Sequence, residues 1–354
     1  MIGRTITVPP AHLYPPDEWR LVEREWNSRY ASRTETALSL SNGYLGVRGC
    51  PEEGRSVFAP GVFINGFHET WPIIHAEQAH GLARVGQTIV NVPDATIIEL
   101  FIDDEPLYMP TARMPEYIRV LDMRSGILTR DLLWATPSGK HARVRSSRLV
   151  SFEHRHVVAM YYEVTLDEAA PVTIRSRVLN RANPAADDVE NVGPRDDPRL
   201  GSRLGRRVLE SRLVDQDDDG RLVLGYETVQ SRMTLALAVD HVVETSSPHH
   251  ISRNADADCS EFVLSVQAEP AVPITVFKYA AYQSSRSVAV VELAQRCRRT
   301  LDRVTVAGFG PLVSAQRACM DLFWDRADVT LEDTVRHPVR MQQAVRWNIF
   351  QLVR

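Results

Sequence analysis

Residues 156–164, His156-Val157-Val158-Ala159-Met160-Tyr161-Tyr162-Glu163-Val164, decide the fold class of this chain. Valine and tyrosine dominate the run, and side chains of that shape suit a pleated sheet. The same composition recurs on both sides of it. Upstream lie residues 88–92 (TIVNV) and 96–102 (TIIELFI). Downstream lie residues 172–178 (VTIRSRV), 221–226 (RLVLGY), 234–239 (TLALAV), 261–266 (EFVLSV) and 274–279 (ITVFKY). Several alternate apolar and polar residues, the pattern of half-buried antiparallel strands. Turn chemistry separates them: Asp103-Asp104-Glu105-Pro106, Pro137-Ser138-Gly139-Lys140 and Asp217-Asp218-Asp219-Gly220. From about residue 35 to 283 the sequence therefore predicts many strands without intervening helices, which makes a large β-sandwich rather than an α/β sheet.

One stretch interrupts this pattern. Residues 183–207 (NPAADDVENVGPRDDPRLGSRLGRR) are polar, punctuated by proline and glycine, and aperiodic; they read as a disordered or surface excursion, with a segment that reaches over a neighbouring domain or subunit as the alternative. After residue 286 the period changes from two to 3.6. Val288, Val291, Leu293, Cys297, Leu301 and Val304 can share one helical face. Pro311 stands at a helix start, and Leu312, Ala315, Cys319, Leu322 and Phe323 form a second stripe. A third helix starts near Pro338, and its apolar residues fall on nearly every side, which predicts burial all round.

Composition excludes several partners. The 354 residues carry a net charge of −4, so the chain lacks the basic surplus that nucleic acid or an anionic membrane would require. Only two of the 41 basic residues, Lys140 and Lys278, are lysines, and the arginines are spread along the whole chain. No run approaches the roughly 18 apolar residues of a membrane span, and the N-terminus lacks a signal-peptide core. Cys50, Cys259, Cys297 and Cys319 form no CxxC pair and no zinc spacing, as expected of reduced thiols in a cytoplasm.

Four local patterns suggest chemistry, and each has a plainer reading. Asp215, Asp217, Asp219 and Gly220 match half of a calcium loop, but the twelfth position is Tyr226, so a hairpin turn is expected. His68, Glu69, His75, Glu77 and His80 include metal-ligand types without HExxH or helix-face spacing, and read as polar loop residues. Gly43, Gly46 and Gly49 recur every third residue outside any βαβ unit, which suggests tight turns at a sandwich edge. Glu52, Glu53, Glu69, Asp94 and Glu99 supply carboxylates, but spacing alone pairs no two of them across a sugar.

Six blocks in order resemble the N-terminal part of family 65 glycoside hydrolases, which comprise maltose, trehalose and kojibiose phosphorylases and hydrolytic relatives. They are residues 35–49 (ETALSLSNGYLGVRG), 60–67 (PGVFINGF), 90–94 (VNVPD), 121–130 (LDMRSGILTR), 145–151 (RSSRLVS) and 346–352 (RWNIFQL). The NGYLGVRG block is the most specific.

The resemblance implies a mainly β chain. Residues 1–285 would form an N-terminal super-β-sandwich, 286–336 a helical linker, and 337–354 the first helix of a truncated (α/α)6 catalytic barrel. In such enzymes a barrel glutamate acts as general acid while inorganic phosphate attacks the anomeric carbon with inversion, giving β-glucose 1-phosphate and glucose. That glutamate is expected beyond residue 354. No catalytic, cofactor-binding or metal residue is therefore assigned here, no cofactor is implied, and phosphate is the co-substrate of the intact enzyme. The expected partners are the chain's own barrel, a second copy in a homodimer, and a disaccharide held by the barrel. Asn42, Tyr44, Arg48 and the matched glycines are expected to be structural. The alternatives are a non-catalytic sugar-binding or dimerisation module, and a hydrolase of the same family acting on trehalose or another α-glucoside. A further reading, hydrolysis by the sandwich carboxylates Glu52, Glu69 and Asp94, stays open.

Overall fold

A computed structural model of the chain describes residues 10–54, 61–73, 75, 80–180, 208–217, 220–332 and 338–353. The loop at 183–207, Glu77 and Asp219 lie outside the described residues. The structure is mainly β, built on antiparallel sheets. The largest has nine strands, in the spatial order Arg20–Glu23, Arg113–Asp122, Ile127–Ala135, His141–Val150, Val157–Leu166, Ile274–Ser285, Thr234–Glu244, Leu222–Thr228 and Leu209–Gln216. A five-stranded sheet runs His249–Ala255, Cys259–Ala268, Ala170–Leu179, Asp94–Ile102 and Glu105–Pro106. Two smaller sheets contain Leu40–Ser41, Leu45–Val47 and Val62–Ile64, and the hairpin His68–Pro72 with Val85–Ile89.

The two large sheets share one apolar core, in which Leu100, Ile174, Phe262 and Leu264 of the smaller meet Leu132, Trp134, Met160 and Tyr162 of the larger. Turns fall where the sequence places them. Asp103 and Asp104 take positive φ of 50° and 63°, and Gly139 takes 95°. A short helix, α1 (Ala31–Ala37), is an addition to the expected pattern and reaches into its first residues.

The strand Val157–Leu166 is more buried than a half-buried strand would be. Val158, Met160, Tyr162 and Val164 enter the sandwich core, while Val157 and Ala159 enter a second core on the opposite face. Helix α2 (Val290–Ala307) makes that second layer. Its Leu293, Ala294, Cys297, Leu301 and Val304 lie on a floor of Ala159, Ala236, Ala238 and Ala281. Small floor residues let the helix approach closely, and the Cys297 thiol reaches the Ala236 carbonyl at 3.4 Å. Each fully buried leucine there contributes about 1.5–3 kcal/mol.

The expected face of α2 stands at Leu293, Cys297, Leu301 and Val304 and fails at Val291, whereas that of the next helix is shifted by about one residue. Val290 is buried and Val291 is exposed. In α3 (Phe309–Ala327) the buried stripe is Leu312, Gln316, Met320 and Trp324, with Leu322 exposed. Polar anchors set that phase. Gln316 Oε1 accepts from the Phe152 amide at 3.1 Å, and the Trp324 indole N–H donates to Met123 O at 2.9 Å.

Lys278 ties the two large sheets together. Its ammonium group donates to Ile97 O at 3.2 Å and Arg177 O at 2.9 Å, next to the register shift in the pairing of Asp94–Ile102 with Ala170–Leu179. Burial pushes its pKa down from 10.5 to about 7, against the opposing pull of Asp94. Between those values the unfolded chain holds a proton that the folded chain has released, so this lysine makes stability rise with pH across that window. Lys278→Met is expected to remove that part of the rise, measured as the denaturant midpoint from neutral pH to about pH 10. An unchanged slope would show that Lys278 does not carry it.

Candidate functional site

The NGYLGVRG block forms a clamp. Gly43 turns the chain with φ of 80°, and Asn42 Oδ1 accepts from the amides of Tyr44 (3.1 Å) and Leu45 (2.9 Å). The same side chain donates through Nδ2 to Ser151 O at 2.6 Å and Arg155 O at 3.0 Å, which fastens the small hairpin to the nine-stranded sheet. The Tyr44 hydroxyl accepts from the Ser284 amide at 3.2 Å, and its ring meets His156 edge-on at 4.6 Å. Burial and the nearby Arg155 push the His156 pKa down to about 4, so the ring is neutral near pH 7. Arg48 donates to Ser32 O at 3.2 Å and pairs with the buried Glu35 at 3.3 Å. All three side chains are spent on holding elements together.

Beneath the clamp lies a buried layer of charge. Glu53 receives a two-pronged hydrogen bond from Arg130 at 2.8 and 2.7 Å, and Glu52 pairs with Arg130 at 3.0 Å and Arg148 at 3.2 Å. Arg119 pairs with Glu23 at 2.9 Å and donates to Gly49 O at 3.0 Å, while the Tyr117 hydroxyl donates to Glu23 at 2.8 Å. Burial raises the Glu52 pKa, but Arg130 and Arg148 outweigh it and hold the carboxyl below its usual range. Sequence reading missed these arginines because it treated them as evenly spread. The available signal was parity: Arg119, Arg130 and Arg148 fall on the inward-facing positions of their strands, in step with Leu121, Leu132 and Val144. A cation at such a position requires a buried anion.

The other sequence candidates are also occupied. Glu69 accepts from the amides of Thr70, Gln230 and Ser231 at 2.8, 3.0 and 2.7 Å. Asp94 accepts from Thr96 N and Oγ1, and Glu99 pairs with Arg175 at 2.7 Å. The sandwich carboxylates thus serve the fold and do not oppose one another across an open cleft. A ring nitrogen of His68 bonds Gly66 O at 2.9 Å, one of His75 bonds Ala83 O at 2.7 Å, and no group of three metal-ligand side chains converges among the described residues. Asp217 caps a hairpin, accepting from the Arg221 amide at 2.8 Å, with Gly220 at φ of 82°. All four cysteines are free, and burial pushes Cys50 and Cys297 up to about 12.

Helix α4 (Pro338–Val353) is the unusual surface. Contrary to burial all round, the residues it buries are Gln342, Arg346 and Phe350. Arg346 pairs with Asp328 at 2.9 Å and Glu18 at 3.1 Å, and lies 3.8 Å from the centre of the Trp19 ring. Gln342 donates to Val329 O at 2.7 Å. Val339, Met341 and Leu352 face outward, Leu352 with 83% of its surface exposed. Gln342, Arg346 and Phe350 are tied down, with Trp347, Ile349 and Val353 packed beside them, and a second set of apolar side chains stays uncovered.

The sequence model of glycosyl hydrolase family 65, N-terminal domain, matches residues 21–323. The chain belongs to glycosyl hydrolase family 65. An uncharacterized glycosyl hydrolase of Mycobacterium tuberculosis is 32% identical over 96% of this chain and 42% of its own length. The alpha,alpha-trehalose phosphorylase of Thermoanaerobacter brockii is 29% identical over 96% of this chain and 43% of its own length. A solved structure titled a putative kojibiose phosphorylase from human microbiome superposes with a TM-score of 0.82 over 98% of this chain and 43% of that one, at 16% identity. It shows a shared fold. The family 65 chain thus spans less than half the length of these relatives, and its match to the family is to the N-terminal domain. Among the described residues no helix is long and apolar enough to cross a membrane.

Proposed function

We propose that this chain is the N-terminal scaffold of an inverting disaccharide phosphorylase. Such an enzyme converts an α-glucosidic disaccharide and phosphate into β-glucose 1-phosphate and glucose. On this reading residues 1–285 form a super-β-sandwich, 286–336 a helical linker and 337–354 the first helix of an (α/α)6 barrel. The general-acid glutamate lies beyond residue 354. The observation that carries the proposal is α4, which buries Gln342, Arg346 and Phe350 against the sandwich and offers Val339, Met341 and Leu352 to an apolar neighbour. Relatives named as phosphorylases, over twice as long as this chain, supply the chemistry. A phosphorylase needs one carboxylic acid because phosphate is already an anionic nucleophile, whereas a hydrolase needs a second carboxylate to activate water.

The engaged state of Glu52, Glu53, Glu69, Asp94 and Glu99 leaves none of them as an obvious acid. The chain by itself is therefore expected to release no glucose 1-phosphate from maltose, trehalose or kojibiose with phosphate, assayed by coupled detection. Phosphorolysis by the purified chain would overturn the assignment of the acid to a later segment. Hydrolysis is the second reading, favoured by the mycobacterial relative's name. It predicts release of free glucose without phosphate once the full-length protein is assayed.

A further inference from the structure

We propose that a groove on the helix-covered face of the nine-stranded sheet binds a neutral oligosaccharide. The groove has a volume of about 510 Å³, within the roughly 300–1,000 Å³ of small-molecule sites. Strands of the sheet supply Tyr161, Val242, Glu244, Phe277 and Tyr279, and the junction of α2 with α3 supplies Phe309 and its neighbours.

Three of these rings form one continuous aromatic wall. Tyr161 lies 5.6 Å from Phe277 and 6.1 Å from Phe309, and Phe277 lies 6.0 Å from Phe309, at mutual tilts of 31–47°. The two phenylalanines and Tyr161 are only half-buried. Ring faces of that kind accept the C–H faces of a pyranose, and large amphipathic rings do so at low entropic cost.

The polar groups around the wall suit hydroxyls. Glu244 is exposed at the rim, Glu163 stands beside the Tyr161 hydroxyl, and Tyr279 adds a second hydroxyl. At the far side Gly308 precedes α3 and supplies no side-chain cap, so the first amides of the helix lack that acceptor. A Cβ built on Gly308 or Gly310 would meet nothing within 4 Å, which leaves that end of the groove open. Asp240 is paired with Arg221 at 2.7 Å and Glu163 with Arg145 at 3.3 Å, so the rim adds no net positive charge, and the exposed Glu244 disfavours phosphate, nucleic acid or any other anion there. An apolar helix would bury the Glu244 carboxylate at a desolvation cost that a polyhydroxylated ligand avoids. Aromatic faces beside carboxylate acceptors are the chemistry of a neutral sugar. This site is independent of the scaffold reading above, because it uses none of the α4 surface.

The test is calorimetric titration of the purified chain with maltoheptaose and, separately, with cellopentaose at millimolar concentration. Saturable heat from either is expected. Phe309→Ala is expected to weaken it by about tenfold or more, as loss of a central aromatic anchor does. Because Phe309 also packs on the second core, its unfolding midpoint is measured in parallel, and the exposed Glu244→Ala serves as a variant that leaves the core untouched. Loss of heat in both folded variants supports the site. No heat with either sugar, or heat that both folded variants retain in full, overturns it.

Discussion

Replacing Arg130 by methionine is expected to destabilise the folded chain by about 3–5 kcal/mol, the range for removing one partner of a buried ion pair. The reason is what remains. Arg130 is buried on an inward-facing position and serves two carboxylates at once, Glu53 through both prongs of its guanidinium and Glu52 at 3.0 Å. Without it Glu53 loses its guanidinium partner, and Glu52 keeps Arg148 and the Ser146 hydroxyl. Urea unfolding followed by tryptophan fluorescence would measure the change, since Trp134 lies in the same core. Adding Glu53→Gln to Arg130→Met is expected to recover part of the loss by removing the stranded charge. A loss below about 1 kcal/mol would mean that the layer is solvated, not buried. The wild-type layer also has a pH signature. The arginines hold Glu52 below its usual pKa, so its contribution is present above the unfolded value and fades as pH falls through the folded one.

Gly49→Ala is the second large effect, expected at about 1–3 kcal/mol or more, and Gly46→Ala is its internal control. A Cβ at Gly49 would stand 2.5 Å from the Leu38 carbonyl oxygen and 2.6 Å from its carbon, which is backbone that cannot rotate away. At Gly46 the nearest atoms are the Ser41 side chain at 3.7 and 3.8 Å, an ordinary contact. Two glycines three residues apart in one block thus differ sharply in what they require. Gly49 lets the chain pass over Leu38 with its amide donating to Glu35 O at 2.8 Å, whereas Gly46 is a strand residue that tolerates a methyl group. Thermal unfolding of the two variants side by side would show the ranking. Equal losses would mean that the close approach at Gly49 relaxes without cost.

The sandwich was legible because its strands repeat a two-residue period between turns that need special backbone angles, as at Asp103-Asp104 and Gly139. The helices were legible as helices, α2 in phase except at Val291 and α3 shifted by about one residue. Val290 replaced Val291 on the buried face, and Gln316 took a place that apolar spacing would not give it. In both α3 and α4 a polar side chain with a specific partner settled the rotation: Gln316 on the Phe152 amide, Arg346 on Asp328 and Glu18. Hydropathy counts such residues as outward. The buried charge layer was hidden for the same reason, since a strand arginine reads as solvent-facing unless its parity is followed. The aromatic groove was hidden by distance: Tyr161, Phe277 and Phe309 lie in three separate elements, and only the folded sheet brings them together.

The position of Val157–Leu166 at the middle of the large sheet has a consequence for synthesis. On one side it pairs with His141–Val150, which has already left the ribosome, but on the other it waits for Ile274–Ser285, more than a hundred residues later. At ordinary elongation rates that interval is on the order of ten seconds. During it a strand destined for burial on both faces presents an open hydrogen-bonding edge to its surroundings, the kind of edge that invites pairing with another chain. The nascent polypeptide thus has a defined period of exposure, from the emergence of Leu166 until Ser285 arrives to close the sheet. Chaperone demand for this protein should be concentrated there.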